Sequence, residues 1–178
     1  MPDAREVWLE IGFGGGEHMA AQAGLRPDVL VLGAEPFLNG VASAVRHIDE
    51  AKLENVRLLE GDARQLLLDL PDQCLTRVFI LFPDPWPKTR HHKRRLIQDE
   101  VIGELARTMK PGGRLRFATD WAEYADWTLA KLTRSPAFRW LAEGADDWRK
   151  PPADHVTTRY EQKRLGDCAP VFLDFERT

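Results

Sequence analysis

A chain of 178 residues, 43% hydrophobic and 30% charged, is long enough for one domain with a full core and has the composition of a soluble globular protein. Two cysteines far apart in sequence, Cys74 and Cys168, argue against a disulfide framework or a cysteine metal site and for a reducing, cytoplasmic setting. A net charge of −3 speaks against a generally cationic nucleic-acid binder; no apolar run approaches the roughly 20 residues that span a bilayer, and the polar start Met1-Pro2-Asp3-Ala4-Arg5-Glu6 has no signal-peptide apolar region.

In chain order, residues 7–11 read as a strand, followed by Gly12-Phe13-Gly14-Gly15-Gly16 and a short helix over 17–23. A second strand covers 29–33 and a second helix 37–50. A third strand over 56–59 ends at Gly61-Asp62. The continuous apolar run 78–82 suits a strand buried on both faces. Apolar residues at helical spacing predict a helix over 96–109, stopped by Pro111-Gly112-Gly113. Strand 114–119, helix 121–132 and strands 138–142 and 171–175 follow, the last two joined by a Pro-containing loop. No repeat, low-complexity segment or linker interrupts the chain, so residues 1–178 are expected to form a single domain.

Alternating strands and helices predict right-handed βαβ units, hence a mostly parallel sheet with helices on both faces. Ligands in such sheets sit beyond the C-terminal ends of the strands. The residues at those ends include Glu10, Glu35, Asp62, Asp84 and Asp120, so the expected site is lined with acids.

Gly12-x-Gly14-x-Gly16 after a strand is a nucleotide-loop signal, with Gly12 and Gly14 as candidate cofactor contacts, though a tight turn fits the glycines equally. The dinucleotide fingerprint requires a third glycine where this chain has Glu17. A pyrophosphate wants bare N–H groups, whereas this loop is flanked by Glu10 and Glu17. The sulfonium and ammonium of S-adenosylmethionine favour such carboxylates. Glu35 is placed to accept both ribose hydroxyls. Asp62 is placed for the adenine amino group, with the Ala63 backbone beside it. Each acid alone reads equally as a solvated loop residue.

Phe82-Pro83-Asp84-Pro85-Trp86-Pro87 is the most unusual segment: two prolines fix the backbone around Asp84, which is expected to face the transferred methyl group. Trp86 offers a flat surface to an unstacked base, or packs into a rigid turn. From Pro85 to Gln98 the chain holds Lys88, Arg90, Lys93, Arg94 and Arg95 and no acid, while the remainder carries 20 basic against 28 acidic residues. A basic loop on an acidic body is the footprint of a local polyanion contact, with Arg90, Lys93, Arg94 and Arg95 as candidate RNA-phosphate ligands. Cations entering a helix near Arg94 oppose its dipole, a penalty that a bound polyanion would offset. The neighbours His91 and His92 read as polar loop residues, not metal ligands. Asp120-Trp121 is expected to form a further wall of the base pocket. Thr157-Thr158-Arg159-Tyr160-Glu161 suits nucleic-acid contact, or an exposed strand edge.

The stretches LEIGFGGGEH, GAEPFLNGV, LLEGDARQLL, FILFPDPWPKTRHHKRRLI, MKPGGRLRFATDWAEYA and TTRYEQKRL together resemble the bacterial tRNA (guanine-N7)-methyltransferase family from Val7 to Leu165. The PDPWPKTRHHKRR block is highly specific; the glycine loop alone is not. The resemblance implies a Rossmann-like class I S-adenosylmethionine-dependent methyltransferase with a seven-stranded, mostly parallel sheet. It carries Glu10, Glu35, Asp62 and Asp84 onto cofactor positions, and Asp84 onto the catalytic one. It carries Lys88, Asp120 and Thr158, Arg159, Tyr160 and Glu161 onto substrate positions, with guanosine 46 of the tRNA variable loop as target. The family usually has an extension before the glycine-loop strand, and this chain begins almost at that strand; a weaker grip on tRNA is the expected consequence.

Guanine N7 bears a lone pair and no proton, so methylation needs no general base, and a carboxylate stabilises the cation that forms. Asp84 and Asp120 are expected to divide that task and the reading of N1–H and the N2 amino group. An exocyclic-amine methyltransferase and a non-catalytic RNA-binding protein are the alternatives, with a nicotinamide dehydrogenase disfavoured by Glu17. Monomer and homodimer are both compatible with the sequence.

Overall fold

Short runs rich in Val, Leu, Ile and Phe pair into one sheet because each exposes a full ladder of backbone groups and apolar side chains on both faces. The computed structural model describes residues 6–178, so the polar start at residues 1–5 lies outside the described residues. The strands are β1 Glu6–Ile11, β2 Val29–Glu35, β3 Val56–Glu60, β4 Leu75–Leu81, β5 Met109–Thr119, β6 Phe138–Trp140 and β7 Val171–Arg177. Their order is β3-β2-β1-β4-β5-β7-β6. Pairing is parallel from β3 through β5 and antiparallel for β5 with β7 and β7 with β6. The helices are α1 Glu17–Leu25, α2 Leu38–Glu50, α3 Ala63–Asp69, α4 Asp99–Thr108, α5 Ala122–Arg134 and the short α6 Asp146–Arg149 and α7 Arg159–Gln162.

The period of two along each strand divides the core. Leu9, Ile11, Val78, Ile80, Leu115 and Phe117 face α3, α4 and α5 and pack with Leu67, Leu105 and Tyr124. Trp8, Val31, Phe79, Leu81 and Phe172 point the other way and pack with Met19 and Ala23 of α1 and Ala44 of α2. Burying both faces explains why β4 reads as an unbroken apolar run.

Several boundaries differ from expectation. Residues 63–69 form α3, which the sequence reading passed over; its start is fixed by Asp62, whose Oδ1 accepts from the Arg64 N–H at 2.9 Å. The helix expected over 96–109 starts only at Asp99, because Gln98 is extended and residues Thr89–Arg94 form a separate 3-10 turn. Asp99 and Glu100 occupy the first turn of α4, the favourable sign for its dipole. The cations therefore do not enter that helix against its dipole. Pro111-Gly112-Gly113 lies inside β5, past the end of α4 at Thr108, where the pairing with β4 shifts register. The strand expected over 138–142 ends at Trp140, and the loop after it contains α6 and α7.

Candidate active site

β1 lies between β2 and β4, so the chain leaves neighbouring strand ends in opposite directions and opens a crevice there. The glycine loop follows β1 and the Pro83–Asp84–Pro85 turn follows β4. Gly12 and Gly14 have φ of 69° and 54°, and a Cβ on either would meet no atom within 4 Å. Backbone conformation, not crowding, demands glycine at both. At Gly40 the demand is spatial: a Cβ would lie 2.4 Å from the Gly14 carbonyl oxygen, so α2 presses directly on the loop.

Glu35 is buried at the end of β2. Its Oε2 accepts from the Gly14 N–H at 2.9 Å and its Oε1 from the Phe37 N–H at 3.1 Å. A carboxylate has about four acceptor sites, so two remain for hydroxyl donors. Glu35, Asp62 and Asp84 line a cavity of about 410 Å³ with Gly12, Gly14, Ala63 and the apolar Ile11, Phe37, Phe82 and Leu96. That volume lies within the range of small-molecule sites. Anionic acceptors, an apolar lining and bare glycine backbone fit a cationic adenosine derivative.

Phe82 and Trp86 adopt left-handed φ of 51° and 45°, conformations that cost non-glycine residues of order 1–2 kcal/mol each. The Phe82 N–H donates to the Ala118 carbonyl at 2.8 Å, tying the turn to β5. Asp84 is exposed to the cavity between them. Trp86 lines the same cavity, with the Arg94 guanidinium 4.8 Å from its ring centroid and His91 edge-on at 5.9 Å.

Asp120, just past β5, is 4% exposed; its Oδ2 accepts from the Gly166 N–H at 2.9 Å and its carbonyl from the Cys168 N–H at 3.0 Å. A Cβ at Gly166 would sit 2.0 Å from the Asp120 carbonyl oxygen, so only glycine allows that approach. Asp120, Thr157, Glu161 and Arg164 line a second cavity of about 590 Å³. Tyr160 lines the first cavity, and burial together with the negative charge of Asp84 and Asp120 pushes its phenol up. The segment expected as a nucleic-acid contact or a strand edge is thus helical. Thr158 caps α7 by accepting from the Glu161 N–H at 3.1 Å, and Glu161 Oε2 meets His155 Nε2 at 2.8 Å. Arg159 Nε lies 3.4 Å from Glu17 Oε1.

Four of the expected residues make other contacts in the structure. Glu10, expected at the cofactor, is turned by the strand period to the Trp8 face, where it is buried against His18 Nδ1 at 2.6 Å and does not line the cavity. Glu17 likewise faces Arg159 and His47, so the carboxylates at the cavity are not those flanking the glycine loop. Arg95, expected at RNA phosphate, is 1% exposed: Nε donates to the Pro85 carbonyl at 2.9 Å, and the guanidinium lies over Tyr124 and Trp127. It holds the turn instead. Trp121, expected in the base pocket, packs against the α3–α5 core cluster. Lys88, Arg90, Lys93 and Arg94 are exposed. The sequence reading missed Phe37, an exposed aromatic at the cavity mouth two residues after Glu35, and Arg64, which pairs with Asp62 at 3.1 Å. Their nearness in sequence to those acids was the available signal.

The family model described as "Putative methyltransferase" matches residues 4–172. A tRNA (guanine-N(7)-)-methyltransferase of Caulobacter vibrioides (strain NA1000 / CB15N) is 67% identical over 177 residues, covering 99% of this chain and 78% of that one. The chain belongs to the tRNA (guanine-N(7)-)-methyltransferase family. Within this family member, the matched span runs from the glycine-loop strand into β7 and takes in both cavities. Solved structures agree on the fold. An rRNA methylase from Streptococcus thermophilus superposes with a TM-score of 0.67 at 15% identity, over 98% of this chain and 88% of that one. A 16S rRNA (adenine(1408)-N(1))-methyltransferase from Catenulisporales acidiphilia, determined with the cosubstrate SAM, gives 0.62 at 17% identity, over 99% and 88%. The architecture is the Rossmann-like fold of class I methyltransferases. No helix among the described residues is long and apolar enough to cross a membrane.

Proposed function

We propose that this protein is a cytoplasmic tRNA (guanine-N7)-methyltransferase that uses S-adenosylmethionine and acts on guanosine 46 of the variable loop. The observation that carries the reading is a pair of cavities lined by adjacent residues of α7, one rimmed by Glu35, Asp62 and Asp84 with Tyr160 and the other by Asp120 and Glu161, beside exposed cations.

S-adenosylmethionine supplies an electrophilic methyl group on a sulfonium. Glu35 accepts the ribose hydroxyls through the acceptor sites its backbone bonds leave over. Asp62 accepts from the adenine amino group beside the Ala63 backbone, and Ile11, Phe37 and Leu96 exclude water around the base. Gly12 and Gly14 let the chain approach closely. Asp84 places negative charge where the guanine becomes cationic as N7 attacks, and because N7 has no proton to lose, no general base is required. Asp120, with one oxygen held by Gly166, keeps the other for N1–H and the N2 amino group, a pair of donors that adenine lacks. Tyr160 stays a neutral phenol between the two acids. Lys88, Arg90, Lys93 and Arg94 hold phosphates, and α7 brings Thr158, Arg159 and Glu161 to the substrate. Glu10 ties β1 to α1 through His18.

The test is incubation with unmodified tRNA transcripts and labelled cofactor, followed by borohydride–aniline cleavage. Cleavage at position 46 is expected. Asp84→Ala is expected to lose at least 100-fold in kcat with an unchanged circular dichroism spectrum. Folded wild-type protein that gives an N6- or N2-methylated nucleoside, or none, overturns the assignment, as does near-normal turnover by Asp84→Ala.

A further inference from the structure

Trp86, Arg94 and Arg64 line the carboxylate-rimmed cavity on one side and, on the other, a separate open groove of about 650 Å³. Beyond that partition the groove is walled by Lys93, Gln98, Glu100 and Val101, from the end of the 3-10 turn to the start of α4. The phosphate contacts proposed for Lys93 and Arg94 leave the concavity between them and α4 unassigned. We infer that this groove receives one unpaired nucleotide of the RNA, a direct neighbour of the guanosine being methylated.

The chemistry of the lining supports that occupant. Three cations, Arg64, Lys93 and Arg94, gather around one concavity with Glu100 as its one acid; Arg64 also pairs with Asp62 at 3.1 Å, and the positive charge left over suits a phosphate. Trp86 and Val101 add an aromatic and an apolar surface for a base. The Gln98 amide is fixed: its Nε2 donates to the His92 carbonyl at 2.8 Å and to the Arg95 carbonyl at 3.2 Å. Its Oε1 is left to accept, and the Glu100 carboxylate accepts beside it. A groove with cations for a phosphate and fixed acceptors for a base edge fits a nucleotide better than a peptide or a bare anion.

Continuity fixes which nucleotide. Trp86 and Arg94, with the guanidinium 4.8 Å from the ring centroid, stand with Arg64 between the cavity that holds Asp84 and the groove. A base on each face of the Trp86–Arg94 stack would have both planar groups between it and its neighbour, so the strand must splay the two bases apart to cross it. The Trp86 ring, with Arg94 over its face and His91 edge-on at 5.9 Å, lines both spaces. Placing a neighbour across it would keep the target guanosine unstacked from that neighbour.

The inference rests on the proposed tRNA methylation, and the test separates the two. Transcripts are made with an abasic residue on the 5′ or the 3′ side of guanosine 46, and methyl transfer is measured with wild-type protein and with Arg64→Ala/Lys93→Ala. Cofactor affinity is followed by calorimetry. One of the two abasic transcripts is expected to lose about tenfold in kcat/KM with wild-type protein, and the double variant about tenfold on the intact transcript. The two losses combined should fall well short of 100-fold, because both remove the same contact. A 4-thiouridine at that flanking position should photocross-link within the peptide 86–101. Normal transfer to both abasic transcripts, multiplicative losses, or cross-links only elsewhere would overturn the groove while leaving the methyltransferase reading intact. No transfer to the intact transcript by wild-type protein would overturn both.

Discussion

Arg95 and Lys88 carry the same charge seven residues apart and are expected to behave oppositely. Arg95 is sealed beneath the Asp84 turn, donating to the Pro85 carbonyl, lying 3.5 Å from Glu123 Oε2 and stacking over two aromatic rings. Arg95→Ala should lower stability by about 2–4 kcal/mol, since it strips a buried carbonyl and two rings of their partner. Lys88 is exposed at the start of the 3-10 turn. Lys88→Ala should leave the urea midpoint unchanged and reduce the salt dependence of tRNA binding by about one in log–log slope. Urea titration and binding measured over a salt series check both; equal destabilisation by the two variants would contradict these roles. From sequence Arg90, Lys93, Arg94 and Arg95 are equivalent candidates for RNA phosphate, because charge is legible residue by residue and burial is not. The same holds for Glu10 and Glu35: both end parallel strands, yet one pairs with His18 under α1 and the other opens to the cavity.

Among the elements, α7 depends on a clamp some distance from the cavities. Asp154, in the loop before it, accepts from Arg116 Nη1 at 2.6 Å and from Arg77, while Arg116 also holds Asp174 across the β5–β7 pair at 2.8 and 2.9 Å. The Gln22 side chain donates to the Asp154 carbonyl at 2.7 Å, adding a tie to α1. Burial alone would push the Asp154 carboxyl up, but Arg116 and Arg77 outweigh it and hold it at about 2. A depressed carboxyl contributes stability that is complete above its ordinary range and is lost as pH falls from about 4 to about 2. Asp154→Asn should therefore be less stable than wild type at pH 7, with the difference shrinking across that window. A constant difference in urea midpoint from pH 7 to pH 2 would exclude the clamp as its source. The same variant should raise KM for tRNA more than it changes cofactor affinity, because α7 would lose its anchor. Thr157–Glu161 fits a nucleic-acid contact and a strand edge equally well from sequence for a related reason. A T-x-x-E capping box declares a helix start, but only packing shows which cavity that helix divides.

For the whole molecule, the sheet is stabilised from both faces, and its centre tolerates little. Phe117, fully buried in β5, packs edge-on to Tyr124 with ring centroids 5.2 Å apart. Phe117→Ala should cost about 3–5 kcal/mol by chemical denaturation; a loss below 1 kcal/mol would mean that the core refills the space. Alternation of apolar runs with helical spacing, glycines where φ must be positive, and prolines around one acid were written in the sequence, and with them the fold class and the location of the crevice. Those features are local, set by backbone sterics and by a period of two or 3.6, so they survive without knowledge of the partners. Tertiary structure alone decided which of several equivalent acids and cations face the cavities, where α7 sits among them, and that Trp86 and Arg94 stand between two spaces. A side chain's electrostatic role depends on what surrounds it in three dimensions, and those surroundings come from residues tens of positions away.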